Sequence, residues 1–380
     1  MKLLFFILKL LNSLIPKSNN KILFISRPDF SDNTLHMYRY IKRQKTNKQL
    51  SWLIYDKNIY DLLLQKGYKN IFYLKSISGI WEYLRSKIII TSSSSLWQVK
   101  SPFQKQFDLW HGIPLKTVLC MGEKHISPKR QAGNITRRFA TSNLEKAQLA
   151  ASFDYNAIRI SVTGHPRTDA LFNKEKKLSQ LLGMDVSKYN NVIFYMPTYR
   201  QGYRDKQEGT TFNVENIFRM KEYDHQKFLE FLERNKILFL LKLHPYEEKL
   251  YEDTALGDNI KWITNTFLVE HDLDTYDIFY EVDTLITDYS SIYFDILLLD
   301  KKIIFLPLDL DIYERNRGFQ LEPYDFWAPG KKIFDQENLQ KEILENDSTE
   351  EKEHRKLIKD IMFKYQDDQS AKRIYDIIFK

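Results

Sequence analysis

Short apolar runs separated by polar-patterned segments set the rhythm of the chain from Lys21 onward. KILFIS, SWLIYD, NIFYLK, KIIITS and FDLWHG follow one another over residues 21–112. Runs of this kind read as strands, and strands alternating with helical segments read as βα units of a mainly parallel sheet. The pattern pauses after Gly164, where the Lys-rich stretch 173–191 has the composition of a surface connector. A second set begins at NVIFYMP and continues through the amphipathic helix HQKFLEFLERN, the buried strand KILFLLKLHP, then DTLITD and KIIFLPLD. The expected fold is α/β, with two Rossmann-like domains over residues 21–185 and 186–335 and a cleft between them. Residues 336–380 carry Leu357, Ile358, Ile361, Met362, Ile374 and Ile378 at helical spacing. They are expected to form terminal helices that pack on the body and cross back to the first domain.

Polar groups fall where such a fold collects them. FDLWHG ends in His111 and Gly112, and NVIFYMPTYR ends in Thr198 and Arg200. KILFLLKLHP ends in Lys242 and His244, and DTLITDYSS ends in Asp288, Ser290 and Ser291. Open α/β sheets bind ligands outside the carboxyl ends of their strands. A helix starting at Ser290 and Ser291 offers unpaired backbone N–H groups that stabilise a phosphate, although the same serines also read as an ordinary N-cap. Arg200 is a forked donor suited to phosphate oxygens and is expected at the ligand. The pattern points to an enzyme acting on a phosphorylated ligand. The serine patch TSSSSLW at 91–97 reads as a strand cap and helix start.

Composition narrows the classes. A chain of 380 residues with 43% hydrophobic content fits two globular domains. Its single cysteine, Cys120, excludes a disulfide framework and fits a reducing compartment, and no Cys/His cluster has structural zinc spacing. The formal charge of +7 favours an anionic partner: nucleic acid, a phosphorylated substrate or a membrane surface.

The N-terminal MKLLFFILKLLNSLIPK is too short as a helix to cross a hydrocarbon layer of about 30 Å. No small-residue cleavage site follows it, which argues against a signal peptide. Residues 1–20 read as an amphipathic helix lying in the membrane interface, with Lys2, Lys9 and Lys17 near lipid phosphates; a first core helix is the competing reading.

Further motifs join these. DN stands at Asp32 and Asn33, WHGIPLK at 110–116, GHPRTD at 164–169 and PTYR at 197–200. KLHP follows at 242–245, DYSSIYFD at 288–295, and RGF at 317–319 before PYDFWAPG. In this order the chain resembles the CDP-glycerol glycerophosphotransferases of teichoic acid synthesis across nearly its whole catalytic body. The resemblance implies a GT-B-like arrangement in a peripheral, monotopic enzyme at the cytoplasmic face of the cell membrane. It implies transfer of glycerol phosphate from CDP-glycerol, or of another alditol phosphate from its CDP-alditol, with release of CMP. The acceptor would be a hydroxyl of a lipid-linked saccharide, as in a primase acting on an undecaprenyl-diphosphate disaccharide. The first domain becomes the acceptor side and the second the CDP-alditol side.

Such phosphoryl transfer needs a base for the acceptor alcohol and neutralisation of charge on the leaving pyrophosphate oxygen. The resemblance supports His111 as the base, whose imidazole titrates near neutrality. Thr198, Arg200, Lys242, His244, Ser290 and Ser291 are the expected donor-binding groups. Gly112 lets the backbone turn beneath His111, and Lys116 can meet an acceptor phosphate. Arg167, with Asp169 nearby, reads equally as a phosphate ligand or a domain-positioning ion pair; Asp288 shapes its turn, and Arg317 meets the nucleotide or fixes a loop. Asp295 reads as an acid in a helix's first turns. No cofactor, metal or nucleic acid is expected, and His165 is given no chemistry.

Length favours a compact enzyme of interfacial helix and catalytic body. A CDP-ribitol-using or polymerising member, for teichoic acid or capsule, shares these features, as does a GT-B nucleotide-sugar glycosyltransferase. A basic binding protein without activity leaves the motifs unexplained. Oligomeric state is not set by the sequence.

Overall fold

Both alternating sets close into parallel sheets in the computed structural model, which describes residues 2–93, 96–122, 135–200, 212–251 and 254–380. The first sheet contains β1 (Ser18–Ile25), β2 (Gln49–Ile54), β3 (Ile71–Tyr73), β4 (Ser86–Thr91), β5 (Lys105–Asp108), β6 (Arg137–Ala140) and β7 (Ile160–Val162). Its strand order is β3-β2-β1-β4-β5-β6-β7. The second contains β8 (Asn191–Tyr195), β9 (Ile237–Leu241), β10 (Ile260–Trp262), β11 (Thr284–Thr287), β12 (Lys302–Phe305) and β13 (Lys331–Lys332), in the order β10-β9-β8-β11-β12-β13. The strands β6, β7, β10 and β13 are short and broken by charged or polar residues, so they do not stand out as apolar runs.

Continuous apolar runs are needed because helices cover both faces of each sheet. On β1, Ile22 and Phe24 pack with Trp52, Leu35 and Met37, while Leu23 and Ile25 face Leu53, Tyr83 and Ile89 across the sheet. The second sheet repeats this: Phe194, Leu238, Leu240 and Leu285 on one face, Ile193, Tyr195, Phe239 and Ile286 on the other.

The strand order reverses between β1 and β4 and again between β8 and β11. At such switch points neighbouring crossovers run to opposite sides and leave a crevice at the carboxyl ends. The two crevices face one another across the interdomain cleft, since that cleft is lined by residues following β1, β4 and β5 and by residues following β8, β9 and β11.

The connector does more than cross a surface. Leu178, Leu181 and Val186 are buried in the second domain's core, and the Lys177 and Leu178 amides donate to the Glu281 carboxylate at 2.5 and 2.7 Å. The C-terminal region forms helices Gln336–Leu344, Thr349–Met362 and Ser370–Phe379. Ile358 and Met362 pack in the second domain, and Ala371 and Ile374 join the first domain's core. The chain therefore crosses back to where it began.

The N-terminal helix α1 (Lys2–Leu14) is built inside out. Among its residues from Phe6 onward only Asn12 is buried, and its amide donates to the Val99 carbonyl at 2.8 Å and to the Gln104 side chain at 2.9 Å. Leu8, Leu10, Leu11 and Leu14 face outward. No helix among the described residues is long and apolar enough to cross a membrane.

Candidate active site

The first-domain side of the cleft is a loop under close control. Following β5, Trp110 has φ +59° and Gly112 has φ +127°. The Asn33 amide donates to the Trp110 carbonyl at 3.0 Å, and Arg167 Nη1 donates to the His111 carbonyl at 2.9 Å. A Cβ on Gly112 would lie 2.6 Å from Arg167 Nη2 and 3.2 Å from Ser291 Oγ. Glycine is required here because the loop passes directly against the second domain as well as for its backbone angle. Beyond it, Ile113 and Leu115 insert into the second domain's core.

His111 lines the cleft, and its Nδ1 lies 3.1 Å from the Ser92 carbonyl. A carbonyl can only accept, so Nδ1 carries the proton and Nε2 keeps its lone pair. Desolvation by the surrounding cleft walls lowers the imidazole pKa below its ordinary value, against the opposing pull of Asp32 and the Ser92 carbonyl, while part of the side chain stays exposed to the cleft. The ring is thus a neutral base near pH 7. The serine patch contributes this carbonyl and Ser93, which also lines the cleft. Ser94 and Ser95 lie outside the described residues.

Lys242, His244, Ser290 and Ser291 line the opposite side of the same cleft, whose volume is about 430 Å³. Lys242 donates to Glu248 at 2.8 Å, which holds the ammonium beside the strand end. His244 stacks on Tyr199 with ring centroids 4.8 Å apart. Burial, then the nearby Lys116, Lys242 and His111, push the His244 pKa down to about 4. His244 is accordingly a neutral hydrogen-bonding group at pH 7 rather than a cation. Ser291 occupies the N-cap position of helix Ile292–Ile296 but makes no side-chain capping bond. With only five helical residues behind it, the turn offers hydroxyls and local N–H groups more than a macrodipole.

Arg200 departs from the expected ligand contact. Its Nε and Nη2 donate to the two Asp309 oxygens at 2.9 and 3.0 Å, Nη2 lies 2.8 Å from Asp288, and Nη1 donates to the Thr198 carbonyl at 3.0 Å. The guanidinium is buried and braces the second-domain turns from below. Asp288 also accepts from the Thr198 amide at 2.8 Å and from the Tyr289 amide at 2.5 Å. Burial would raise its pKa, yet Arg200 and Arg219 hold it below the ordinary carboxylate value. Thr198 itself is buried, and its hydroxyl has no hydrogen-bond partner among the described residues. Neither Thr198 nor Arg200 lines the cleft.

Arg167 resolves to a cross-domain pin that also borders the cleft. Nη1 donates to Asp32 at 2.8 Å as well as to the His111 carbonyl, and Nη2 donates to Asp295 of the second domain at 2.6 Å. Its backbone N–H donates to Asn33 at 3.1 Å, and Tyr276 lies beneath the guanidinium at 4.9 Å. Asp295 stands in the first turn of helix Ile292–Ile296, as read from the sequence, and is in addition a buried partner of Arg167 and of the Tyr276 hydroxyl at 2.6 Å. Asp274 adds a second tie, accepting from the Asp32 amide at 2.9 Å and meeting His36 at 3.3 Å.

The remaining second-tier residues lie around this frame. Asp169 accepts from the Ser370 and Ala371 amides at 2.9 and 2.8 Å and so anchors the returning C-terminal helix; burial pushes its carboxyl up to about 6. Lys116 forms an antiparallel bridge with Phe319, and the Arg317 carbonyl accepts from the Thr117 hydroxyl. Lys116 and Arg317 therefore join the domains beside the cleft without lining it. The buried His165 sits 3.3 Å from the equally buried Glu145. Larger hollows of about 760 Å³ beside Arg43 and about 560 Å³ beside Lys69 contain none of His111, Lys242, His244, Ser290 and Ser291, so chemistry rather than size marks the site. No group of three or more His, Cys, Asp or Glu able to share a metal ion occurs among the described residues.

The His111 loop thus faces a hydroxyl-rich turn and a Lys/His strand end across one cleft between two sheets. The profile of CDP-glycerol:poly(glycerophosphate) glycerophosphotransferases matches residues 7–380. The chain belongs to this family. Among its relatives, the Staphylococcus aureus teichoic acid ribitol-phosphate polymerase TarL is 27% identical, over 96% of this chain and 63% of that protein. The S. aureus teichoic acid glycerol-phosphate transferase is 26% identical over 92% and 90%. The chain thus spans under two thirds of the first relative and nearly all of the second. The wall teichoic acid polymerase TagF shares the fold of this chain, with TM-score 0.74, 21% identity, and coverage of 95% and 89%. A putative UDP-N-acetylglucosamine 2-epimerase from Listeria monocytogenes aligns more loosely, with TM-score 0.53, 15% identity, and coverage of 95% and 96%.

Proposed function

We propose that the protein transfers glycerol phosphate from CDP-glycerol to a hydroxyl of a lipid-linked saccharide acceptor, in the manner of a teichoic acid primase, releasing CMP. The observation that carries the reading is the approach of the His111–Gly112 loop to Ser291, which sets a neutral base against a polar turn across one cleft. His111 Nε2 takes the proton of the acceptor alcohol as its oxygen attacks the phosphorus nearest the glycerol. The bond from that phosphorus to the pyrophosphate bridging oxygen breaks, and the electron pair leaves with CMP. Lys242 supplies positive charge to the diphosphate, while His244 and the two serines supply hydrogen bonds.

The membrane is the proposed location, at its cytoplasmic face. The inside-out burial of α1 supports it, because a helix that buries its asparagine and presents its leucines finds its apolar solvent in a lipid interface. No cofactor or nucleic acid takes part in the proposal. Turnover is expected to survive EDTA, and loss restored by Mg²⁺ would overturn that part.

The test is CMP release with CDP-glycerol and, separately, CDP-ribitol, each with and without an undecaprenyl-type disaccharide lipid, with the product sized. Acceptor-dependent release from CDP-glycerol with one added unit is expected. A ladder would make the enzyme a polymerase, release only from CDP-ribitol would change the alditol, and release from neither would overturn the reading.

A further inference from the structure

The cleft carries a cation that the donor-binding groups do not account for. Arg27 stands two residues beyond β1, at the first domain's switch point, and lines the cleft on the same wall as His111. The loop that it opens runs to Asp32, which Arg167 ties to the His111 carbonyl. Its side chain is exposed, and its guanidinium carbon lies 3.9 Å from the ring centroid of the half-buried Tyr55, which directly follows β2. A ring contact of this kind holds a guanidinium by its charge and leaves its five N–H donors to other partners.

The other cations that line the cleft among the described residues are engaged. Arg167 meets Asp32 at 2.8 Å and Asp295 at 2.6 Å, and Lys242 meets Glu248 at 2.8 Å. Arg27 has no carboxylate at ion-pair distance among the described residues. Asp29, two residues on, is buried, and its Oδ2 accepts from the Tyr55 and Asp56 amides at 2.9 and 2.7 Å. Asp56 in turn pairs with Lys249 at 2.9 Å. An arginine steadied on a cleft wall with its fork unused is suited to bidentate contact with a phosphate.

Its position identifies the phosphate. Lys242, His244, Ser290 and Ser291, the groups assigned to the donor diphosphate, all stand in the second domain. Arg27 is on the opposite wall, where His111 would receive the acceptor alcohol. We propose that Arg27 binds a phosphate of the acceptor and so makes the enzyme select acceptors that carry one. This rests on the glycerophosphotransferase reading of the cleft and adds to it a residue for acceptor choice. Such a phosphate has two sources: the diphosphate joining the saccharide to its lipid, or a glycerol phosphate already attached to the saccharide.

The test is calorimetric binding of soluble probes to the full chain saturated with CMP. The probes are a disaccharide alkyl glycoside, the same disaccharide on a short-chain alkyl diphosphate, and the glycoside carrying one glycerol phosphate. Arg27→Met is expected to weaken a phosphate-bearing probe by at least about tenfold, with the uncharged glycoside and CDP-glycerol bound as by the parent protein and thermal unfolding unchanged. The probe that loses affinity names the source. Arg27→Lys keeps the charge without the fork and is expected to recover part of the loss. Unchanged affinity for both phosphate-bearing probes would overturn the proposal, as would an equal loss for the uncharged glycoside or a parent protein that binds all the probes alike. A fall in CDP-glycerol affinity would also overturn it, by giving Arg27 to the donor. Turnover is measured separately: Arg27-dependent binding in a protein that releases no CMP from any CDP-alditol would sink the proposed function and leave the phosphate site standing.

Discussion

The second-domain lip of the cleft is braced from within its own domain, whereas the His111 lip is braced from both. Ser290, Ser291, Lys242 and His244 stand on turns tied by the Asp288–Arg200–Asp309 network, all of it in the second domain. The His111 loop is held by Asn33 and Arg167, and Arg167 reaches Asp295 across the cleft while Ile113 and Leu115 fill a core that is not their own. Under the proposed function, a donor site held within one domain depends little on how the domains meet. A base positioned by contacts to both domains depends on how they dock. Changes at the two lips should therefore separate binding from turnover.

The largest separation is expected from His111→Ala. Turnover should fall by roughly two to four orders of magnitude, while CDP-glycerol affinity, measured by calorimetry, changes little because the donor groups lie opposite. Near-normal turnover would remove His111 from the role of base.

Arg167→Met attacks the pin itself. Asp32 and Asp295 lose their shared cation, and Asp295 is wholly buried; leaving a buried charge unpaired costs about 3–5 kcal/mol, read from denaturant unfolding. Turnover should drop about a hundredfold through misplacement of the loop, with donor affinity again retained. Arg200→Met supplies the contrast: a stability loss of similar size, but with donor affinity falling alongside turnover. Equal losses of affinity in both variants would erase the distinction between the lips.

A smaller effect belongs to Ser290→Ala combined with Ser291→Ala. Hydrogen bonds to charged groups contribute about 1.5–3 kcal/mol each. Calorimetry should show donor affinity weakened by at least about tenfold for one such bond, without loss of fold, because Ser291 caps nothing. Unchanged affinity would move the diphosphate away from this turn.

The two arginines also show what was legible in the chain. The strands could be read because burial on both faces forces apolar runs, and the site groups because parallel sheets collect ligands at their carboxyl ends. Arg167 and Arg200 looked alike because their roles are decided by partners far away in sequence. Arg200 meets Asp309 at a separation of 109 residues, and Arg167 meets Asp32 and Asp295 at separations of 135 and 128. Neither periodicity nor composition carries such pairings. Asp309 had no local signal, and Asp32, at φ +62° within the DN motif, had only the motif. A serine at a helix start is likewise ambiguous until its hydroxyl is seen to leave the cap unmade. Short strands such as β7 and β13 escape because three and two residues carry no period.

The finest test of the comparison is the pH profile. In the proposed mechanism the neutral form of His111 is the base, and desolvation within the cleft lowers its pKa from the ordinary 6.5. A base with a lowered pKa stays unprotonated to lower pH, so kcat/KM should remain flat from pH 8 down through about 6.5 and decline only as pH falls through the depressed value. His244, at about 4, is already neutral across that range and adds no limb of its own there. In Arg167→Met the loop loses one of the groups shaping this environment; Arg167 itself acts to lower the His111 pKa while its partner Asp32 raises it. Removing the cation leaves Asp32 unopposed, so the acid limb should move upward in pH relative to the parent enzyme. In Arg200→Met, whose change is confined to the second domain, the limb should stay where it was. A limb that shifts equally in both variants would mean that the electrostatics of the base are set by the cleft as a whole rather than by the pin beside it.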